Sequence, residues 1–186
     1  MSFRAPLHSK SALVRRLGLL RQARWRREEI GEIIVKGREQ IENIIQTTEN
    51  RKFNHLLVSN KHADYGFLES FRKLCRVIHK VDPALLYEIV YQSRPVVKAD
   101  FQKGAPTSSA DLLTDPSVSD SLMLASMSMP QFVMPSSMKL VLCLDGMVFP
   151  ENVGALVRTA ASMGGIDAIV ATTGPCDFHG WQVLEA

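Results

Sequence analysis

The sequence predicts an α/β protein built as a small α/β domain, a linker and the beginning of a second α/β unit. Three observations carry this. Short β-rich runs alternate with segments of helical periodicity between residues 30 and 101. Composition then shifts to Ser, Met and Pro over 102–138. From Lys139 an apolar Val/Leu run ends at Asp145-Gly146, crosses a Pro-containing loop and enters a helix at Asn152. Strand, loop and helix in that order is the geometry in which open α/β folds place ligands at the carboxyl ends of strands. The predicted boundaries are 10–101 for the first domain, 102–138 for a flexible linker and 139–186 for the start of the second unit.

The elements follow in chain order. Residues 10–27 form a basic amphipathic helix, with Leu13, Leu17 and Leu20 and then Arg16, Arg24 and Arg27 at helical spacing. Ile30–Val35 is a strand stopped by Gly37, and Arg38–Gln46 is a helix with Ile41, Ile44 and Ile45 on one face. His55–Ser59 is a strand, Asp64–Leu74 a helix and Arg76–His79 a strand. Asp82-Pro83 opens the next helix, with Asp as N-cap and Pro in the first turn. Val96–Phe101 completes a four-stranded, mostly parallel sheet. The linker shows no sustained period, so disorder is expected there; its Met123–Met129 stretch offers at most a weak docking stripe. In the second unit a helix runs to Gly164-Gly165, which serve as its stop, and another strand lies near Asp167–Thr172.

Charge is distributed unevenly. The net charge is only +3, yet the first 27 residues hold eight Arg or Lys and no acid. Such density points to RNA, DNA or another anionic surface. It also suits an Arg-rich, acid-poor organelle import signal overlapping this region, so a mitochondrial or other organelle destination stands beside a cytoplasmic one. No apolar run is long enough to span a bilayer, and no membrane partner is expected. Cys75, Cys143 and Cys176 show no C-x-x-C spacing, which argues for a reducing compartment. Cys143 is expected to be a small buried hydrophobe of its strand. His8, His55, His62, His79 and His179 lack metal-ligand spacing, and no metal site is expected.

Residue types leave the role of the 152–164 helix open. Asn152 is a good N-cap, and Gly154 admits close approach by a backbone or ligand. Apart from Arg158, Thr159 and Ser162 the helix is largely apolar. Its arginine is therefore either an edge charge reaching water or a group aimed into a site.

The string LCLDGMVFPENVGALVRTAASMGGIDAIV resembles the first signature motif of SpoU-type (TrmH-like) RNA ribose 2′-O-methyltransferases of the SPOUT superfamily. The matching positions are Leu144, Asp145, Pro150, Asn152, Gly154, Arg158, Thr159, Ala160, Ala161 and Gly164. More weakly, RRLGLLRQARWRREE followed by EIIVKGREQIENII resembles the small RNA-binding α/β domain that precedes many SpoU catalytic domains, with Lys36 where a Glu is common.

The resemblance implies an incomplete SPOUT-type knot domain after the linker and methyl transfer from S-adenosylmethionine to a ribose hydroxyl of rRNA or tRNA. It also implies a homodimer once the catalytic domain is whole. A 2′-hydroxyl is a poor nucleophile, so such a site must orient it and stabilise charge developing on the oxygen; a guanidinium suits both tasks. Carried onto this chain, Arg158 and Asn152 are the catalytic candidates. Arg15, Arg16, Arg24, Arg26 and Arg27 are candidates for phosphate contacts, with Gly154 where the substrate comes close. Trp25 is placed either to stack on a base or to pack on the sheet, the second being the commoner fate of tryptophan.

Phe149 stands where the family commonly has an aspartate. The family's two later motifs, which form the cofactor-binding knot, do not occur in these 186 residues. The expectation is a piece of a longer enzyme, inactive alone, or a truncated product that retains RNA binding. A non-catalytic RNA-binding protein of the same descent is the alternative. The open side of the 152–164 helix is expected to leave an exposed apolar patch.

Overall fold

A computed structural model describes residues 7–47, 52–60, 65–91, 123–172 and 176–185. The predicted strand Val96–Phe101 and residues 102–122 of the predicted linker lie outside them.

The chain opens with helices α1 (Ala12–Gln22) and α2 (Arg24–Ile30). Ser11 caps α1, its Oγ accepting from the Val14 N–H at 3.4 Å. The single helix expected over 10–27 is broken at Ala23, which is extended (φ −120°, ψ 114°). No Gly or Pro causes the break. The buried Arg27 side chain folds back and donates to the carbonyls of Leu20 and Arg21, which end α1. A turn of helix thereby finds its acceptors satisfied by a side chain instead of by continuation.

Four strands form the first sheet: β1 (Glu32–Lys36), β2 (Phe53–Ser59), β3 (Cys75–Val81) and β4 (Met123–Ser128), in the order β1-β4-β2-β3. β2 and β3 are parallel, as expected, with Leu56 opposite Ile78. β4 is antiparallel to both neighbours, Ala125 facing Val35 on one side and Leu56 on the other. Two of the three pairings are thus antiparallel, which corrects the expectation of a mostly parallel sheet.

The same strand corrects the linker boundaries and the expected disorder, since Met123–Met127 is buried at the sheet centre. Period-2 alternation explains how it fits. Leu124 joins Ile34 and Leu57 on one face, while Met123, Ala125 and Met127 join Phe53 and Leu56 on the other. Residues 129–140 then run without regular structure to the second unit.

Helices cover both faces of this sheet. On one side α1 contributes Val14, Leu17 and Leu20, and α5 (Pro83–Tyr91) contributes Leu85, Leu86 and Ile89. The Arg21 guanidinium, buried between them, donates to the Ile89 carbonyl at 3.1 Å. On the other side α3 (Arg38–Thr47) and α4 (Tyr65–Phe71) contribute Ile41, Leu68 and Phe71. Asp82 caps α5 as predicted, its Oδ1 accepting from the Ala84 N–H at 2.8 Å.

The second unit comprises β5 (Val141–Leu144), α6 (Pro150–Met163), β6 (Ala168–Ala171) and α7 (Trp181–Glu185). β5 and β6 pair in parallel, Leu142 opposite Ile169, with α6 as the crossover. Gly164 and Gly165, both at positive φ (69° and 72°), end α6 as expected. A clip secures the amino ends of the strands: the Asp167 carboxylate accepts from the N–H groups of Lys139 (2.7 Å) and Leu140 (2.9 Å). These two donors, Leu140 foremost, hold the Asp167 carboxyl below its ordinary range.

Leu144, Val153, Cys176 and Val183 form a small core on one face of the β5–β6 pair. Among the described residues nothing covers the other face, where Val141, Cys143 and Val170 are exposed. Cys143 is therefore not the buried core residue the sequence suggested. α7 joins the two units, Val183 packing into the second core and Leu184 against the first sheet.

Candidate functional site

At the carboxyl ends of β5 and β6 the chain builds a small polar knot. The Thr172 hydroxyl donates to Asp145 Oδ1 at 2.6 Å and accepts from the Gly146 N–H at 3.2 Å. The Thr172 N–H donates to the Leu144 carbonyl at 3.1 Å. Gly146 takes a positive φ (61°), which turns the chain out of β5 and into the loop. Thr172 was not singled out from sequence; a β-branched hydroxyl residue at the end of the second strand was the available signal.

The loop delivers α6. Phe149 is its N-cap, without a side-chain cap bond, and Pro150 occupies the first turn. Asn152 is therefore not the cap that residue types suggested. It lies inside the first turn, its N–H donating to the Phe149 carbonyl at 3.2 Å and its side chain exposed. The physical reason is Pro150, whose fixed φ and missing N–H suit the first helical position and start the helix two residues early.

Val153, Gly154 and Ala160 turn inward, and Arg158 is exposed. Among the described residues Arg158 makes no side-chain hydrogen bond or ion pair; its carbonyl accepts from the Ser162 hydroxyl at 2.8 Å. Six residues of helix put Asn152 and Arg158 roughly 120° apart around α6 and about 9 Å apart along it. The two candidates thus share a helix but not a face. Because α6 is the crossover between parallel strands, it runs back from the carboxyl end, and Arg158 lies about 12 Å along it from Pro150. Gly154, buried beside Val153, helps pack the helix.

The basic segment is more divided than its sequence implies. Arg27 is 5% exposed and its guanidinium pairs with Asp177 just ahead of α7, so it is withdrawn from the surface and corrects its assignment as a phosphate contact. Arg16 pairs with Glu32 at 3.0 Å, and Glu32 also accepts from Asn54 at 2.6 Å, which anchors α1 to the sheet. Arg24 pairs with Glu28 (2.8 Å) and Arg26 with Glu29 (2.6 Å) on the exposed side of α2. The Glu28 hydrogen bond and charge raise the Arg24 pKa further. Exposed pairs of this kind hold weakly, about 0–1 kcal/mol, and can yield to a phosphate. Arg15 is exposed and donates to the Lys10 carbonyl at 2.9 Å, with no carboxylate partner among the described residues. Trp25 is 59% exposed, with the Arg26 guanidinium 4.2 Å from its ring centroid; the expected packing on the sheet does not occur.

Among the described residues no three His, Cys, Asp or Glu side chains gather as metal ligands, and no helix is long and apolar enough to cross a membrane. The residues of the second unit do not by themselves fit S-adenosylmethionine. Among the described residues, the polar cluster at the carboxyl ends of β5 and β6 satisfies its own groups, and the strand pair is covered on a single face.

The fold is that of known methyltransferases. The chain is similar to an rRNA methyltransferase from Sinorhizobium meliloti (14% identity, TM-score 0.65), aligning over 96% of this chain and 58% of that one. It is similar to an RNA 2′-O ribose methyltransferase (19%, 0.61; 97% and 59% covered). It is also similar to the SpoU methyltransferase AviRb from Streptomyces viridochromogenes in complex with AdoMet (16%, 0.63; 95% and 58% covered). The chain spans under three fifths of the length of these structures. No family model and no curated protein matches the chain.

Proposed function

We propose that this chain is the RNA-binding domain and first catalytic segment of an RNA ribose 2′-O-methyltransferase acting on rRNA or tRNA with S-adenosylmethionine as methyl donor. The observation that carries the reading is Arg158: a cation on an otherwise largely apolar helix, exposed and without a side-chain partner, in a stretch that resembles the SpoU motif. A charge so placed is available to an oxygen on which negative charge develops. Asn152, on another face of α6 and nearer the loop, would act by ordering the loop end of the helix and not beside Arg158. In this reading the described residues of the second unit supply Arg158 and Asn152 and leave the donor's pocket to further protein.

RNA affinity in this reading comes from Lys10 in the turn ahead of α1, Arg15 of α1, and Arg24 and Arg26 of α2. Leu17 and Leu20 are fully buried, so α1 is integral to the fold.

The test is the natural protein, purified by a tag from its own cells and assayed for label transfer from methyl-labelled S-adenosylmethionine to RNA. Modification of a ribose, seen as resistance of one linkage to alkali, is expected, and Arg158→Ala is expected to abolish it while RNA binding persists. Full activity of that variant would overturn the role of Arg158. RNA binding without any transfer would select the non-catalytic RNA-binding reading.

A further inference from the structure

We infer that Trp25, backed by Arg26, is a stacking seat for one unpaired base, so that this surface takes single-stranded in preference to duplex RNA. The inference rests on the RNA-binding reading above. The fold makes little use of this indole. Only Arg27 of α2 is buried, and Trp25 leaves more than half its surface in water, whereas tryptophans usually bury most of their area.

Its neighbours hold the ring in place. The Arg26 guanidinium lies 4.2 Å from the ring centroid, and its Nη1 donates to Glu29 Oε2 at 2.6 Å. The ring is thereby restrained before any ligand arrives, which lowers the ordering cost of binding. Arg24 is exposed beside it, Arg15 is exposed on α1, and Lys10 is exposed in the turn ahead of α1.

A flat π-surface next to cations matches a nucleobase with its phosphate. A duplex keeps its bases stacked on each other, so only an unpaired base can offer a free face. Glu28 and Glu29 temper the positive charge of α2, which leaves stacking a larger share of the affinity than a bare arginine cluster would.

The experiment uses the 186-residue protein with two RNAs of equal length, an unstructured strand and a hairpin duplex closed by a non-nucleotide linker so that it has no unpaired base, titrated at several salt concentrations. Trp25→Ala is expected to weaken single-strand binding about ten-fold or more. Trp25→Phe should recover part of the loss, the hairpin should be nearly unaffected, and the salt slope should not change because no phosphate contact is removed. Tryptophan fluorescence in a Trp181→Phe background should be quenched by the strand; if that background is unstable, fluorotryptophan NMR with Trp25→Phe for assignment replaces it. Equal single-strand affinity of Trp25→Ala and wild type, or an equal loss on the hairpin, would overturn the inference and leave the RNA-binding reading intact. No binding of either RNA by the wild type would overturn both.

Discussion

The two sheets among the described residues are built to different degrees of closure. The four-stranded sheet has helices on both faces, with Phe53, Leu56 and Leu57 fully buried. The two-stranded sheet is covered on one face, and Val141 and Val170 stand in water on the other. The difference teaches where each part gets its stability. The first unit holds a core of its own on either side of the sheet. The second leans on the first through α7 and Asp177, and presents apolar surface that a single face of helix cannot bury.

The largest expected effect separates the two cores directly. Phe53→Ala should cost about 3–5 kcal/mol, read as a fall in the denaturation midpoint. Val170→Thr on the open face should stay within about 0.5 kcal/mol. A comparable loss at Val170 would mean that the open face is packed after all, and the contrast would fail.

Next in size is the bridge between the units. Arg27→Ala removes a buried cation that serves two helix-end carbonyls and the Asp177 carboxylate. A loss on the order of 3 kcal/mol is expected, with hydrogen-exchange protection falling in α7 as well as in α1. Loss confined to α1 would show that the second unit stands without the bridge.

The smallest effect lies in the Asp167 clip. Its folded-state carboxyl titrates below the ordinary value, so its contribution is present above an Asp pKa of about 3.9 and is lost as pH falls through the lowered folded value. The Leu140 amide shift should follow that titration in NMR spectra, and Asp167→Ala should abolish it. A midpoint at or above the ordinary value would contradict the clip.

Much of this arrangement was legible in the residues. The run Lys139–Gly164 predicted strand, loop and helix because a Val/Leu run, an Asp-Gly turn and a Gly-Gly stop are local signals. Asp82-Pro83 marked α5 for the same reason. β4 was missed because Met-Leu-Ala-Ser-Met-Ser has neither β-branched residues nor strong alternation in polarity; its strand character comes from the slot between β1 and β2. The burial of Arg27 was also invisible locally, since its partner Asp177 is 150 residues away. Nor could spacing alone say that Trp25 faces water. The candidate site was legible as a set of residues and not as a geometry: Asn152 and Arg158 were named together, yet the helix turns them to different sides.

The place of β4 sets a timetable for the growing chain. Glu32 of β1 meets Ser128, and Phe53 of β2 meets Met127, so the sheet's middle arrives last. Until the ribosome has released that segment, β1 has no neighbour among the described strands and β2 keeps one edge unpaired by them, both open to pairing with other nascent chains. Early helix formation at α1 and α5 cannot relieve this, because helices shield faces and not edges. Synthesis halted ahead of Met123 would leave a product prone to aggregate, whereas a halt just beyond Ser128 would leave the sheet whole.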